Sequence, residues 1–294
     1  MSYVLITPLV NEEKNLLNLK NTVLNQTLRP VLWIIVDGGS DDDSFNLATK
    51  IFKNYDWIEV VHQKKFYEKT LGHLNFAEAI NEGYSALKKI SQEKKVNYEY
   101  VGKTDATPIL CENYFQTLLS KMNFNKELAI TCGIQEVFTS NNRIKLEPLE
   151  NIPLSGFNDM RLYRKDFFEE IKGYPLTPSP DSVLLIKAVE KGYKVKVIQE
   201  ISFLKPRLGG SKIGFWNGFK LKGKNMYILG YHPFLALINA LQVSRKIPPH
   251  YQFIPMLWGF LLSILKRENK IPDLEIREYY GKKRLKEIMC GFKG

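Results

Sequence analysis

Leu32-Trp33-Ile34-Ile35-Val36-Asp37-Gly38-Gly39-Ser40-Asp41-Asp42-Asp43-Ser44 is the stretch that decides the fold. An apolar, β-branched run stops abruptly at a carboxylate, two glycines and a cluster of acids. A short apolar run bounded by turn residues suits a fully buried strand better than a helix. The glycines let the chain leave the strand through conformations that other residues avoid. Ser40 or one of Asp41 to Asp43 then caps a helix that begins near Ser44. Asp37 is thereby expected at the C-terminal end of a parallel strand, where open α/β sheets bind their ligands.

The same grammar repeats on either side. Tyr3 to Thr7 reads as a first strand closed by Pro8, followed by Asn11-Glu12-Glu13 and by Leu16, Leu17, Leu19, Val23 and Leu24 at helical spacing. Phe45 to Phe52 is the second helix, Trp57 to Val61 the third strand and Leu74 to Ile90 a long helix. Tyr98 to Gly102 is a fourth strand that runs out into Lys103-Thr104-Asp105-Ala106-Thr107-Pro108. Further on, Leu128 to Ile134 reads as a strand, Asn151 to Asp159 as a loop and Phe167 to Ile171 as a short helix. Asp181 to Lys191 is a helix ending at Gly192, and Tyr193 to Ile198 a last strand. Strands alternating with helices predict an α/β fold with a mostly parallel, doubly wound central sheet flanked by helices. The expected division is a domain over residues 1–208 and a helical extension over 209–294.

That extension changes character. Two charge-free runs, Asn225 to Ser244 and Tyr251 to Leu265, are joined by Arg245-Lys246-Ile247-Pro248-Pro249-His250 and bordered by Lys220, Lys222, Lys224, Lys266 and Arg267. Polar residues and a proline interrupt the first run, and the second is shorter than the roughly 20 residues a membrane span needs. Apolar helices with basic flanks suit a membrane interface, with Tyr227, Tyr231, Tyr251, Trp258 and Phe260 as an aromatic belt. The competing reading packs the helices against the sheet domain. The tail from Ile276 to Gly294 reads as basic and solvated, with Lys282, Lys283, Arg284 and Lys286 able to touch anionic lipid.

Composition narrows the partners. Lys and Arg outnumber Asp and Glu by 42 to 31, a formal net charge of +11, while 44% of residues are hydrophobic. The core is therefore ample, and the excess charge asks for a polyanion: nucleotide phosphates, nucleic acid or an anionic membrane face. No basic–aromatic recognition motif accompanies the charge, so no nucleic acid partner is expected. Cys111, Cys132 and Cys290 match no zinc or redox spacing, which suggests a reducing compartment. The first residues enter a strand pattern without a basic leader region, so no signal peptide is expected.

Three acids stand out: Asp37 and Asp105 at strand ends, and Asp181 at a helix start after Pro178-Ser179-Pro180. Lys205 and Arg207 follow the last core strand. Acids at strand ends can bind a base, a ribose or a cation. Nearby cations can neutralise a diphosphate leaving group, and an isolated acid at a helix start can act as a general base. Together they suggest group transfer from a nucleotide diphosphate.

The motifs resemble glycosyltransferase family 2, with the GT-A fold. The resemblance is carried by Thr7-Pro8-Leu9-Val10-Asn11-Glu12, Val36-Asp37-Gly38-Gly39-Ser40-Asp41-Asp42, Asn75, Ala79 and Asn81-Glu82-Gly83. It continues through Lys103-Thr104-Asp105-Ala106-Thr107, Arg161-Leu162-Tyr163-Arg164, Asp181 and Gly192-Tyr193-Lys194-Val195. The region from Gly209 to about Lys266, especially Gly230-Tyr231-His232-Pro233, resembles the extension of membrane-associated members.

The resemblance implies an inverting hexosyl- or N-acetylhexosaminyl-transferase that uses a UDP- or GDP-sugar and a lipid-linked or glycan acceptor. It implies a cytoplasmic enzyme bound peripherally to an anionic membrane surface. Thr7, Pro8 and Glu12 are implied as the nucleotide-pocket wall, Asp37 as the nucleobase contact, and Gly39 and Lys103 as further donor-site residues. Asp105 is implied as the first acid of an Asp-x-Asp motif holding Mg2+ or Mn2+, with Thr107 at the second metal position. Asp181 matches the catalytic base, and Lys205 and Arg207 would stabilise the leaving diphosphate.

Two departures bear on the metal: Thr107 replaces an acid with a weaker neutral ligand, and Phe203 stands near the position of an expected histidine. Three accounts stay open. The ion is held weakly by Asp105 and the diphosphate, or Lys103, Lys205 and Arg207 supply its charge, or the protein binds nucleotide sugars without catalysis. His62 and His73 read as surface or helix-start residues and His232 as a turn residue. Lys64, Lys65 and Lys69 form a solvated loop or a phosphate-facing patch, and Asn75 and Asn81 either orient the donor or satisfy helix-end backbone.

Overall fold

Leu32–Asp37 is strand β2, and all six of its residues are buried. The computed structural model describes residues 1–67, 72–138, 143–146, 148, 154, 157–205, 214–246 and 249–291. Its other strands are β1 (Tyr3–Leu9), β3 (Ile58–His62), β4 (Tyr100–Lys103), β5 (Ile109–Leu110), β6 (Leu128–Phe138), β7 (Arg143–Leu146), β8 (Arg161–Arg164) and β9 (Lys194–Lys205). The helices among them are α1 (Leu16–Leu24), α2 (Ser44–Phe52), α3 (Gly72–Glu93), α4 (Tyr114–Phe124), α5 (Lys165–Glu170) and α6 (Pro180–Glu190). The strands join in the order β3-β2-β1-β4-β8-β6-β9-β5, with β7 paired to β6. This is the α/β fold expected, with helices on both faces of the sheet.

Both faces are buried because alternate residues point to opposite sides. Tyr3 and Leu5 of β1 join Trp33 and Ile35 of β2 in one core, against Leu19, Phe52, Phe115 and Leu118. Val4 and Ile6 join Ile34 and Val36 in the other, against Ile80, Leu87, Phe167 and Leu184. A strand buried on both sides has no polar face to show, which is why β2 reads as an unbroken apolar run.

The register decides what meets at the sheet edge. β1 runs parallel to β2 and β4, pairing Leu9 with Asp37 and Ile6 with Lys103, and β2 pairs Asp37 with His62 of β3. β8 lies antiparallel to β4 and pairs Arg161 with Lys103. The start of β8 and the ends of β1 to β4 therefore share one edge.

Several elements depart from the sequence reading. Pro8 does not close β1, which continues to Leu9; near a strand end its missing N–H removes little from the ladder. β9 continues to Lys205, and an irregularity shifts its register between the Gly133–Ile198 and Ile134–Ser202 pairs, which breaks the visible period. α4, with Tyr114, Phe115, Leu118, Leu119 and Met122 buried, had no sequence assignment.

The chain divides into two compact units, Met1–Pro148 with Leu154–Pro206, and Leu149–Pro153 with Arg207–Gly294. The second is helical: α7 (Phe215–Ile228), α8 (Pro233–Lys246), α9 (Phe253–Leu265), α10 (Leu274–Glu278), a π-helical turn (Tyr279–Lys283) and α11 (Arg284–Gly291). No helix among the described residues is long and apolar enough to cross a membrane. The tail is solvated only on one side: Lys282, Lys283 and Lys286 are exposed, whereas Ile276, Tyr279, Tyr280 and Ile288 are buried. Tyr280 stacks on Tyr231 with ring centroids 4.0 Å apart, and Arg284 pairs with Glu287 at 3.3 Å. Nor do all five belt aromatics face outward: Phe260 is buried, and Tyr227 packs beside it. Tyr251 and Trp258 are exposed.

α7 and α9 cross at backbone distance. A Cβ on Gly223 would lie 1.8 Å from the Met256 carbonyl oxygen, and one on Gly259 would lie 2.0 Å from the Lys220 carbonyl oxygen. Backbone cannot step aside as a side chain can. Gly259→Ala gains helix propensity of about 1 kcal/mol but forces the helices apart at a cost of about 1–3 kcal/mol. The expected result is a lower unfolding temperature for the helical unit in a thermal melt; a higher one would show that the crossing is loose.

Candidate functional site

At the end of β2 the Asp37 carboxylate turns back on its own loop. Oδ1 accepts from the Ser40 hydroxyl at 2.5 Å, and Oδ2 accepts from Gly39 N at 3.2 Å and Ser40 N at 3.3 Å. His62 Nδ1 lies 3.3 Å from Oδ2. Asp37 is 1% exposed. The carboxylate expected to read a nucleobase is thus committed to shaping the loop, and a ligand there would meet the loop rather than the acid. His62, read as a surface or helix-start residue, is exposed at the end of β3 and stacks on Phe45 with centroids 3.5 Å apart.

The loops after β1 and β2 staple each other. Asn11 N donates to Ser40 Oγ at 2.9 Å, Glu12 N to Ser44 Oγ at 2.8 Å, and Asp41 N to Asn11 Oδ1 at 2.7 Å. Asp42 accepts from Ser44 N at 3.0 Å through Oδ1 and from Glu13 N at 3.4 Å through Oδ2. Asp41 to Asp43 are therefore loop and helix-start residues. Gly39 takes φ +84° to turn this corner, with Phe66 against it. Thr7, expected in the pocket wall, is fully buried, and its hydroxyl accepts from the Trp33 indole at 2.9 Å. Pro8 is half-buried on β1, and the Glu12 carboxylate accepts from Asn15 Nδ2 at 2.5 Å.

The side chains of α3 clamp three loops. The Asn75 amide exchanges two hydrogen bonds with the Tyr67 backbone, at 2.6 and 3.1 Å. Glu82 accepts from Lys64 N at 2.5 Å and Lys65 N at 2.8 Å. Asn81 exchanges bonds of 2.7 and 2.8 Å with the Tyr174 backbone. The two asparagines thus satisfy the backbone of distant segments. Lys69 and the side chain of His73 lie outside the described residues. His232 stands before α8, where its Nδ1 accepts from Phe234 N at 3.2 Å.

The second acid cluster lies where β4 meets β8. Lys103, 1% exposed, places Nζ 3.1 Å from Asp105 Oδ1 and over the Phe76 ring at 4.5 Å from its centroid. Burial alone would lower its pKa, but Asp105 first, then Asp181 and Asp159, hold it above the usual lysine value. Lys205 bridges Asp105 Oδ2 at 3.4 Å and Asp159 Oδ2 at 2.7 Å. Arg207 lies outside the described residues. Phe203 is core, packed edge-on against Tyr114.

Asp181 sits in the first turn of α6, behind Ser179 in the left-handed conformation at φ 52° and Pro180 at the helix start. Its Oδ1 accepts from the Tyr174 hydroxyl, and Arg161 donates to its carbonyl oxygen at 2.6 Å. The guanidinium lies 3.9 Å from the same Oδ1, leaving Oδ2 without a hydrogen-bond partner among the described residues. Burial first, and then the Asp181 charge, pushes the Tyr174 phenol well up, so it stays a hydrogen-bond donor. Tyr174, Asp159 and Arg161 carry as much of this site as the acids singled out from sequence. The only available signal for Asp159 was its place two residues before Arg161-Leu162-Tyr163-Arg164.

A divalent cation does not fit the residues expected to hold it. Each oxygen of Asp105 faces an ammonium, Thr107 is neutral and half-buried, and no group of three His, Cys, Asp or Glu among the described residues could hold a metal ion. Two positive charges already stand where the ion would approach Asp105.

Residues 4–89 match the model of glycosyl transferase family 2. No curated protein matches the chain by sequence. Among solved structures, it is similar to the mannosyltransferase PcManGT from Pyrobaculum calidifontis in complex with GDP-Man and Mn2+, at 13% identity and TM-score 0.56, over 98% of this chain and 86% of that one. It is also similar to S. aureus TarS 1-349 in complex with UDP, at 14% identity and TM-score 0.53, over 100% of this chain and 90% of that one. TarS 1-349 with UDP-GlcNAc matches at 15% identity and TM-score 0.52, over 100% and 91%. The family match thus lies within residues 4–89, and the described residues take the GT-A fold of these solved neighbours.

Proposed function

We propose that the protein is an inverting glycosyltransferase that moves a hexose or N-acetylhexosamine from a UDP- or GDP-sugar to a lipid-linked or glycan acceptor. The observation that carries this reading is the setting of Asp181. One carboxylate oxygen is fixed by Tyr174 and the other has no hydrogen-bond partner among the described residues, on a side chain 21% exposed. Such a group can take the proton of an acceptor hydroxyl as that oxygen attacks the anomeric carbon from the face opposite the leaving diphosphate. Lys205, 12% exposed beside Asp105, is the cation suited to meet that diphosphate. The stapled loops after β1 and β2 form the nucleoside side of the pocket. The solved neighbours that bind UDP, UDP-GlcNAc and GDP-Man support this donor class.

The helical unit supports a peripheral place on the cytoplasmic face of an anionic membrane. Phe234, Leu237 and Leu241 of α8, and Ile254, Trp258, Leu261 and Leu265 of α9, are all exposed at helical spacing. Arg245, Lys266 and Arg267 at the helix ends are exposed too. Apolar stripes with basic ends match an interface whose headgroups are acidic.

Replacing the base tests the mechanism. Asp181→Asn is expected to lower kcat roughly 10²–10⁴-fold while the Kd for UDP or GDP, measured calorimetrically, stays within about twofold; unimpaired turnover removes Asp181 from this role. Asn81→Ala frees the Tyr174 backbone. It is expected to cost about 1–3 kcal/mol of stability in denaturant melts and to lower kcat more than it raises KM. For the membrane, flotation with phosphatidylglycerol liposomes at low salt is expected to carry the protein, and Trp258→Glu with Leu261→Glu to release it. Recovery in the soluble fraction under those conditions counts against the membrane reading.

A further inference from the structure

Two ammonium groups and two carboxylates interlock beside the proposed base. Lys103 Nζ lies 3.1 Å from Asp105 Oδ1, and Lys205 Nζ lies 3.4 Å from Asp105 Oδ2 and 2.7 Å from Asp159 Oδ2. Among the described residues Lys103 has no hydrogen-bond acceptor satisfying its Nζ, and that atom and Asp105 Oδ1 are both sealed from solvent. The charges sum to zero. A divalent ion held between two carboxylates would reach the same sum.

We propose that Lys103 and Lys205 take the electrostatic place of a divalent cation in this protein, so that nucleoside diphosphate binds without metal. This rests on the nucleotide-sugar reading above. Lys103 is the fixed member of the pair: at 1% exposure it cannot reach a ligand, but it cancels the charge of Asp105. Lys205 is the working member. It is 12% exposed, lies between two half-buried carboxylates, and carries three N–H donors, so one can turn to an incoming phosphate oxygen. A divalent ion bound to Asp105 would have to displace one ammonium or sit against both. At a few ångströms in a partly buried site, that repulsion outweighs what one carboxylate and a threonine hydroxyl can return.

The test separates this idea from the reading beneath it. Titration of the full-length protein with Mn2+ alone, followed by electron paramagnetic resonance, is expected to show no site tighter than millimolar. Lys205→Met is expected to tighten Mn2+ binding by about tenfold or more, because it leaves Asp105 and Asp159 short of one positive charge. Calorimetry with UDP and GDP in excess EDTA is expected to show binding that Mn2+ changes less than about twofold. Lys205→Met is expected to weaken it about tenfold, and Lys205→Arg to retain it. Thermal melts establish that both variants are folded. Nucleotide binding that appears only with Mn2+, or a micromolar Mn2+ site in the unmodified protein, overturns the proposal and leaves the nucleotide-sugar reading standing. Binding of neither nucleotide with or without Mn2+ sinks that reading, and the claim of metal-free nucleotide binding with it; the Mn2+ titration, which needs no nucleotide, still decides whether the lysines exclude the ion.

Discussion

Two buried cations sit directly opposite one another on neighbouring strands. Lys103 ends β4, Arg161 begins β8, and the antiparallel register pairs them. Both are almost wholly withdrawn from water. Removing an ion from water costs several kcal/mol unless counter-charges and hydrogen bonds are supplied on the spot. The surroundings are arranged to meet that demand. Asp105 meets Lys103, Asp181 meets Arg161 through its carbonyl and carboxylate, and Asn158 accepts from Arg161 Nε at 2.5 Å. Two of the acids singled out from sequence, Asp105 and Asp181, are, physically, also the condition under which these two strands can lie side by side. Under the proposed function, chemistry and fold stability draw on the same charges here.

How far this was legible in the sequence depends on where each partner comes from. β1 and β2 announce themselves because burial on both faces leaves an apolar run ending in a polar turn. Asp105 and Asp181 were visible for a related reason: each stands at a break between an element and a loop. Asp37 stood at such a break too, yet its oxygens are taken by Gly39, Ser40 and His62. Nothing in a residue's spacing says whether a strand-end acid faces outward or folds back. Asp159 gave no signal beyond its place before Arg161, because its partner, Lys205, is contributed by a strand that joins the sheet dozens of residues later. Short strands such as β5 and β8 escaped because two to four residues carry no measurable period.

The tail was misread for a different reason. Its buried residues, Ile276, Tyr279, Tyr280 and Ile288, are sparse among lysines and arginines, so composition gave the impression of a solvated strip. Their burial depends on a π-helical turn between α10 and α11, which alters the angular spacing from one helix to the next. A pattern that assumes one continuous helix cannot find a face that is made by two.

The mutual stapling of the loops after β1 and β2 has a consequence for how a ligand is recognised. Backbone N–H groups of Asn11, Glu12 and Glu13 are already satisfied by Ser40, Ser44 and Asp42 before anything binds. A cleft assembled in advance spends none of a ligand's interaction energy on ordering its own walls. Under the proposed nucleotide-sugar reading, a ligand at these loops is selected by fit to a standing shape, in the manner of a mould rather than a closing hand.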